Sequence, residues 1–432
     1  MDVRTEATTV VAKLLTQDGS LSTLIPSALE RVKQQDRSLL QELCYGTARW
    51  QPRLKLYLDA LMDKPLRNKD NDVRALLLIG LYQLAFLRIP SHAAIHESVA
   101  VATKLKKNWA KGLVNGVLRR FQREQAQLDQ QLASQPVFQT SHPAWLMAAM
   151  TQAWPENCPA LFDINNSRPP MTLRVNQQRI SRNDYLQLLA DGGIPGLATP
   201  YSEHGIVLDV PTDVEALPHF RQGYCSVQDE AAQLAAPLLE LASHQRVLDA
   251  CCAPGGKTAH ILECQPTLQT CVGLDISAER MQRTADNLRR LDLQAQLLVA
   301  DANQPDVWWD GQQFDRILVD APCSGSGVIR RHPDIKILRD SANVAKLAAT
   351  QLTLLQALWP LLAPGGIMLY ATCSILPEEN TKLVARFVEQ HDDAAPVPIH
   401  ASWGVAQPFG RQLLPAANSH DGFFYAKLRK SI

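Results

Sequence analysis

The apolar positions along this chain change their spacing from one stretch to the next, and each spacing predicts a different kind of element. Up to about residue 133 they recur at helical intervals. Residues 73–89, VRALLLIGLYQLAFLRI, are apolar nearly all round, with Gly80 their only glycine, which predicts a buried helix. After Pro90 and Ser91 a second helical stretch runs from His92 to Lys106. In residues 111–132, Leu113, Val117 and Phe121 share one stripe while Arg119, Arg120 and Arg123 occupy the other face. No strand pattern precedes about residue 170. The first 135 residues therefore predict an independent all-α domain.

Proline then becomes frequent, at positions 136, 143, 155, 159, 169, 170, 195, 200, 211 and 218. Two short alternating runs, residues 171–176 (MTLRVN) and 205–210 (GIVLDV), predict strands, so residues 136–230 read as a small α+β module. In the remainder, 231–432, strands and helices alternate. Strands are predicted at 246–251, 270–275, 295–301, 316–321 and 366–373, with helices at 277–291 and 343–362. Such alternation predicts an α/β Rossmann-like domain, a parallel sheet covered on both faces, with ligands bound beyond the carboxyl ends of the strands.

Composition removes several alternatives. No segment approaches the ~20 consecutive apolar residues of a membrane span. The first residues, which include Asp2 and Glu6, lack the apolar core of a secretory signal. The nine cysteines form no C-x-x-C pair, so neither a disulfide framework nor a zinc site is expected, and no metal is assigned. A reducing, cytoplasmic location is the expectation. The formal net charge is 0, but residues 1–145 carry 20 Lys/Arg against 13 Asp/Glu, and the rest carry the opposite excess. This asymmetry points to a polyanionic partner for the helical part.

The chemistry gathers at predicted strand ends. Residues 249–258, DACCAPGGKT, join the first strand of the last domain to a helix. A dinucleotide fingerprint is absent. A P-loop would need glycine where Cys251 stands, which leaves GKT as a near miss. Asp249, Asp275, Asp301 and Asp320 close four successive strands. An acidic residue after the second strand suits two ribose hydroxyls, and four in a row exceed what helix capping explains. This pattern resembles the class I S-adenosylmethionine-dependent methyltransferases.

Two cysteines follow the fourth and fifth strands, in Asp320-Ala321-Pro322-Cys323 and Ala371-Thr372-Cys373. Cys44, Cys158, Cys251, Cys252, Cys264 and Cys271 read as ordinary packing residues. Cys323 and Cys373 do not, because side chains past strand ends face the cleft. A thiol suits methylation of a pyrimidine at carbon 5. Addition of a thiolate to carbon 6 makes carbon 5 nucleophilic, after which a base removes its proton and the thiol departs.

DACCAPGGKT, GLDIS, VDAPCSGSG and YATCSILPEEN resemble the RNA cytosine-5 methyltransferases of the Nol1/Nop2/Sun family, over about residues 140–432. The resemblance implies Cys373 as nucleophile and Cys323 as a helper in product release. It implies that Cys252, Ala253, Pro254, Gly255, Gly256, Lys257, Thr258, Asp275 and Asp301 hold S-adenosyl-L-methionine, the product being S-adenosyl-L-homocysteine. Asp320 would contact the target base or the cofactor amine. LLQELCYGTARW (39–50), residues 81–102 and KGLVNGVLRRF (111–121) resemble the NusB-like RNA-binding domain. That fusion implies a cytosine of 16S ribosomal RNA, free or in a partly assembled small subunit, as substrate of a monomeric enzyme. Lys104, Lys106, Lys107, Lys111, Arg119 and Arg120 would contact phosphates, and Arg330, Arg331, His332 and Lys336 would grip RNA near the reacting base. The alternatives are a transfer-RNA cytosine-5 methyltransferase, a non-catalytic RNA-binding or antitermination factor, and a P-loop NTPase.

Overall fold

The computed structural model describes residues 2–432, and the counts below are of those residues. They divide into two compact units: residues up to Arg168 with Ile329–Ser341, and Pro169–Val328 with Ala342–Ile432.

The first unit holds α1 (Val3–Leu15), α2 (Leu21–Arg31), α3 (Arg37–Leu61), α4 (Asn71–Phe86), α5 (Ser91–Lys104), α6 (Ala110–Leu132), α7 (Pro136–Thr140), α8 (Ala144–Ala153) and α9 (Cys158–Asn166). Its helix starts are chemically marked. Asp2 accepts the Thr5 amide at 3.0 Å, and Ser20 and Thr23 form a reciprocal capping box ahead of α2. As the sequence predicts, α4 is buried: Val73, Leu76, Leu77, Ile79 and Leu81 each expose 0%. Its core includes Leu14 of α1, Leu40 and Leu43 of α3, and Leu118 and Phe121 of α6. A side-chain carbon at Gly46 would lie 2.0 Å from the Tyr82 ring, so α3 approaches α4 closely only through glycine.

The second unit begins with a small antiparallel sheet built from β1 (Thr172–Val175), β2 (Gly196–Ala198), β3 (Gly205–Leu208) and β4 (Cys225–Val227), in the order β2-β3-β1-β4. Between β1 and β2 lies α10 (Arg182–Asp191), whose Tyr185 and Leu189 share its core with Leu173 and Ile206. Then follow α11 (Glu230–Gln233), α12 (Ala235–Leu238), β5 (Arg246–Ala250), α13 (Gly256–Cys264), β6 (Thr270–Asp275), α14 (Ala278–Leu291), β7 (Gln296–Val299), α15 (Pro305–Trp308) and β8 (Phe314–Asp320). After the first unit's α16 (Ile335–Leu338) come α17 (Ser341–Leu358), β9 (Leu362–Thr372), α18 (Thr381–Glu389), β10 (Ala394–Val397), β11 (Val405–Gln407), β12 (Gly410–Leu413) and β13 (Phe423–Lys430).

The large sheet runs β11-β12-β13-β9-β8-β5-β6-β7, with β10 beside β13. The five strands that the sequence predicts, β5 to β9, are parallel. The expectation of a wholly parallel sheet is corrected by the last third of the domain. There β13 pairs antiparallel with β9, β10 and β12, and β11 with β12. Along the central strands alternate residues enter opposite cores. Leu248, Val272, Ile317 and Met368 pack on one face, and Val247, Cys271, Leu318 and Leu369 on the other.

Residues 329–341 belong to the helical unit although they lie between β8 and α17. Asp334 accepts the Leu21 amide at 2.9 Å. The Lys336 ammonium donates to the carbonyls of Arg49 and Ser141, both at 3.0 Å, and to Asn166 Oδ1 at 2.5 Å. Arg49 donates to the Arg330 carbonyl at 2.8 Å. Lys336 and Arg330 expose only 4% and 1%. Burial, with the charge of Arg49, pushes the Lys336 ammonium well below the ordinary lysine range. The expectation that these two side chains grip RNA is therefore corrected: both are buried, and Lys336 ties the segment to the helical unit.

Candidate active site

Beyond the carboxyl ends of the parallel strands lies a cavity of about 370 Å³, walled by Cys251, Ala253, Leu274, Asp275, Ile276, Arg280, Asp301, Asp320, Pro322, Cys323, Leu354 and Cys373, among others. Its size falls in the range of small-molecule pockets, roughly 300–1,000 Å³. Its position follows from topology, since each lining loop leaves the end of a parallel strand.

One wall is the turn from β5 into α13. Gly255 opens that helix at φ +88°, and a side-chain carbon there would sit 2.6 Å from Thr284 Cγ2, so conformation and space both demand glycine. Asp275, at the end of β6, holds the turn. Its Oδ2 accepts the Ala253 amide at 3.2 Å and its Oδ1 accepts the Ser277 amide at 2.9 Å. Arg280 closes the arrangement, donating to the Ala253 carbonyl and standing 3.5 Å from Asp275 Oδ2. Asp301 accepts the Asn303 amide at 2.9 Å, and this bond holds its carboxyl below the usual range.

Beneath the turn the polar groups are buried and partly paired, with Asp249 Oδ1 left without a hydrogen-bond partner. Thr258 Oγ1 donates to Asp249 at 2.6 Å, and neither side chain is exposed. Burial pushes Asp249 up to about 7, against the Thr258 bond and with the Asp320 charge adding to the rise. Lys257 pairs with Asp320 at 2.7 Å and lies 4.8 Å from the Phe423 ring centroid. Burial works against its charge, but Asp320 outweighs it and the ammonium is raised.

The two cysteines meet as the strand ends predict. Cys323, past β8, and Cys373, past β9, place their sulfurs 3.3 Å apart. The two loops are also joined along the backbone, since the Gly327 amide donates to the Cys373 carbonyl at 2.9 Å. The Cys323 thiol is pushed well above the ordinary range, first by its contact with Cys373, then by burial and the Glu379 charge.

Of the residues that the sequence marks, Ala253, Asp275, Asp301, Asp320, Cys323 and Cys373 line one cavity. Cys252, Gly255 and Thr258 are buried, Pro254 is exposed, and the Gly256 carbonyl accepts from Arg174 at 2.8 Å. These build the turn, and the cavity wall at this point is formed by Ala253 and Cys251. The sequence pattern assigns Cys251 to packing, yet this residue takes φ +62° and lines the cavity. The pattern also misses Arg280, which no motif marks, and Glu379, which sits inside the LPEEN run without any signal of its own.

Comparison with known proteins agrees with this architecture. The profile of the 16S rRNA methyltransferase RsmB/F family matches residues 236–429, that of the NusB family residues 1–123, and that of the RsmF/B-like ferredoxin-like domain residues 142–215. The ribosomal RNA small subunit methyltransferase B of Pseudomonas putida is 52% identical over 100% of this chain and 99% of its own. The solved protein PH0851, at 22% identity, shares the fold with a TM-score of 0.84 over 100% of this chain and 99% of its own. A methyltransferase homologue from Pyrococcus horikoshii is 26% identical, with a TM-score of 0.60 over 68% of this chain and 97% of its own. Identity of this degree along the entire length, with all three profiles in register, means that the chain belongs to the ribosomal RNA small subunit methyltransferase B family and is a methyltransferase.

Proposed function

We propose that this enzyme transfers a methyl group from S-adenosylmethionine to carbon 5 of a cytosine in 16S ribosomal RNA, through a transient bond between Cys373 and carbon 6. The observation that carries the reading is the pair of sulfurs 3.3 Å apart on the wall of a cavity that also presents Asp275. A methylase acting on an exocyclic amine has no use for two thiols, whereas carbon 5 of cytosine needs a nucleophile at carbon 6.

The cavity suits the cofactor. Asp275 stands at the second strand end, where a carboxylate accepts from ribose hydroxyls, and the Gly255 turn lets backbone approach the ligand. When bound, S-adenosylmethionine supplies an electrophilic methyl group. Cys373 adds to carbon 6 and so loads electron density onto carbon 5. Cys323, beside it, assists the elimination that frees the product. Lys257 and Asp320 form a fixed pair of opposite charges next to the thiols, placed to orient the base. The target cytosine has to leave any stacked helix to reach them, at a few kcal/mol. The helical unit anchors the RNA in the cytoplasm through exposed cations of α5, α6 and the turn between them.

Bisulfite sequencing of small-subunit ribosomal RNA tests this. Cells lacking the protein should lose one 5-methylcytosine, restored by the wild-type gene and not by Cys373→Ala. Loss of a mark in transfer RNA, with ribosomal RNA unchanged, would contradict the substrate.

A further inference from the structure

Behind the two cysteines lies a carboxylate that the scheme above does not use. Glu379, just before α18, is fully buried at 0% exposure. It accepts the Ser324 amide at 2.7 Å, Ser324 Oγ at 2.5 Å, Ser374 Oγ at 2.6 Å and Gln351 Nε2 at 3.1 Å. Ser324 follows Cys323 directly, and Ser374 follows Cys373. One side chain thus holds the residue next to each sulfur, and all four of its donors are neutral. Burying a charge among neutral donors is costly, so the carboxylate calls for a reason beyond packing.

Glu379 works within a network: the two loops are also linked by the Gly327 amide to the Cys373 carbonyl at 2.9 Å and by the Ser326 and Ser374 hydroxyls at 3.0 Å. Residues 322–327 read Pro-Cys-Ser-Gly-Ser-Gly, with Gly325 at φ +74°. Small side chains and glycines hold no shape of their own. The charges around the two thiols are also unequal. The Cys323 sulfur feels the Glu379 anion, while Cys373 and the Lys257 ammonium act on one another.

We propose that Glu379 is a positioning residue for the reaction: its carboxylate clamps the Cys323 and Cys373 loops at their sulfur spacing and makes the two thiols electrostatically unequal. Cys373 is the nucleophile. Cys323, nearer the anion, keeps its proton in the resting enzyme. This rests on the two-cysteine reading above and deepens it.

Glu379→Gln separates charge from shape, because the amide fills the same volume and still accepts from Ser324. Three readouts follow: cofactor affinity, the pH dependence of iodoacetamide labelling at each cysteine by peptide mass spectrometry, and steady-state methyl transfer. The variant should bind S-adenosylmethionine as the wild type does. Its Cys323 labelling midpoint should fall by about one pH unit or more, and that of Cys373 should move less. kcat should drop about tenfold or more, with KM for RNA changed far less. Wild-type labelling midpoints together with wild-type kcat would overturn the proposal. A shifted Cys323 midpoint in an enzyme that proves to modify no cytosine would leave the clamp standing and remove only the substrate reading. Unshifted midpoints and wild-type kcat in an enzyme that does methylate carbon 5 would remove the clamp alone.

Discussion

Asp275 shows how much one residue carries and how little of that a sequence exposes. Its place at the end of an apolar strand is legible, because TCVGLD is a short unbroken apolar run of the kind that a strand buried on both faces gives. Its two backbone partners, Ala253 and Ser277, depend on how the loops fold back. Cys323 and Cys373 are legible for the same reason, each following an apolar run. Arg280 is not: it meets the Ala253 carbonyl across 27 residues of chain, a relation that no local period records. Asp275→Asn keeps the volume and removes the charge that would accept from ribose. Calorimetry should show S-adenosylmethionine affinity weakened about tenfold or more, the effect of removing a charge-assisted hydrogen bond. Unchanged affinity would remove Asp275 from the cofactor site.

Between elements, the small sheet and the methyltransferase sheet are joined by a buried ion pair. Arg174 of β1 donates twice to Glu263 of α13, each bond at 2.8 Å, with side-chain exposures of 0% and 2%. A third donation reaches the Gly256 carbonyl at the start of the same helix. The pair therefore fixes α13, which follows directly on the turn that walls the cavity. Glu263→Gln strands a buried guanidinium and should lower unfolding free energy by about 3–5 kcal/mol, measured by urea denaturation. The double variant Arg174→Met, Glu263→Leu should recover much of that loss. Equal destabilisation of single and double variants would show that the cost is packing and not charge. Arg174 lies within a run that reads simply as a strand, and nothing in it signals a partner 89 residues on. The C-terminal strands are hard to read for a related reason. In β13, FFYAKLRK, buried Lys427 and exposed Arg429 blur the apolar pattern, and Lys427 is held by Glu240 at 2.6 Å.

At the scale of the whole chain, the division into a helical part and an α/β part is readable from the change of period. The membership of residues 329–341 in the helical unit is not. Pro333, Asp334 and Lys336 look like a solvated loop until their partners in α2, α3 and α9 are known. The basic stretch also divides once structure is available. Lys107 is paired with Asp70 and Asp72, Lys104 with Asp2, and Arg120 with Glu124. Lys106, Arg119 and Arg123 are exposed. If the helical unit anchors RNA through its phosphates, replacing these three with glutamine should weaken binding and flatten its salt dependence. The logarithmic slope should become shallower by up to about 0.7–0.9 for each phosphate no longer neutralised. Binding titrations over a range of salt that return the wild-type slope would place the anchor elsewhere.

The central claim is that Cys373 bonds to the base and Cys323 releases it. The most direct measurement mixes Cys323→Ala with substrate RNA and S-adenosylmethionine and resolves the products by denaturing electrophoresis. Without the releasing thiol, the enzyme should stall after methyl transfer. It should migrate as a protein–RNA complex that the Cys323→Ala, Cys373→Ala double variant fails to form. A serine at position 373 should not restore the complex, because its hydroxyl is far less ionised at neutral pH than a thiol. A complex that forms with Cys373→Ala and not with Cys323→Ala would contradict the assignment and exchange the roles of the two cysteines.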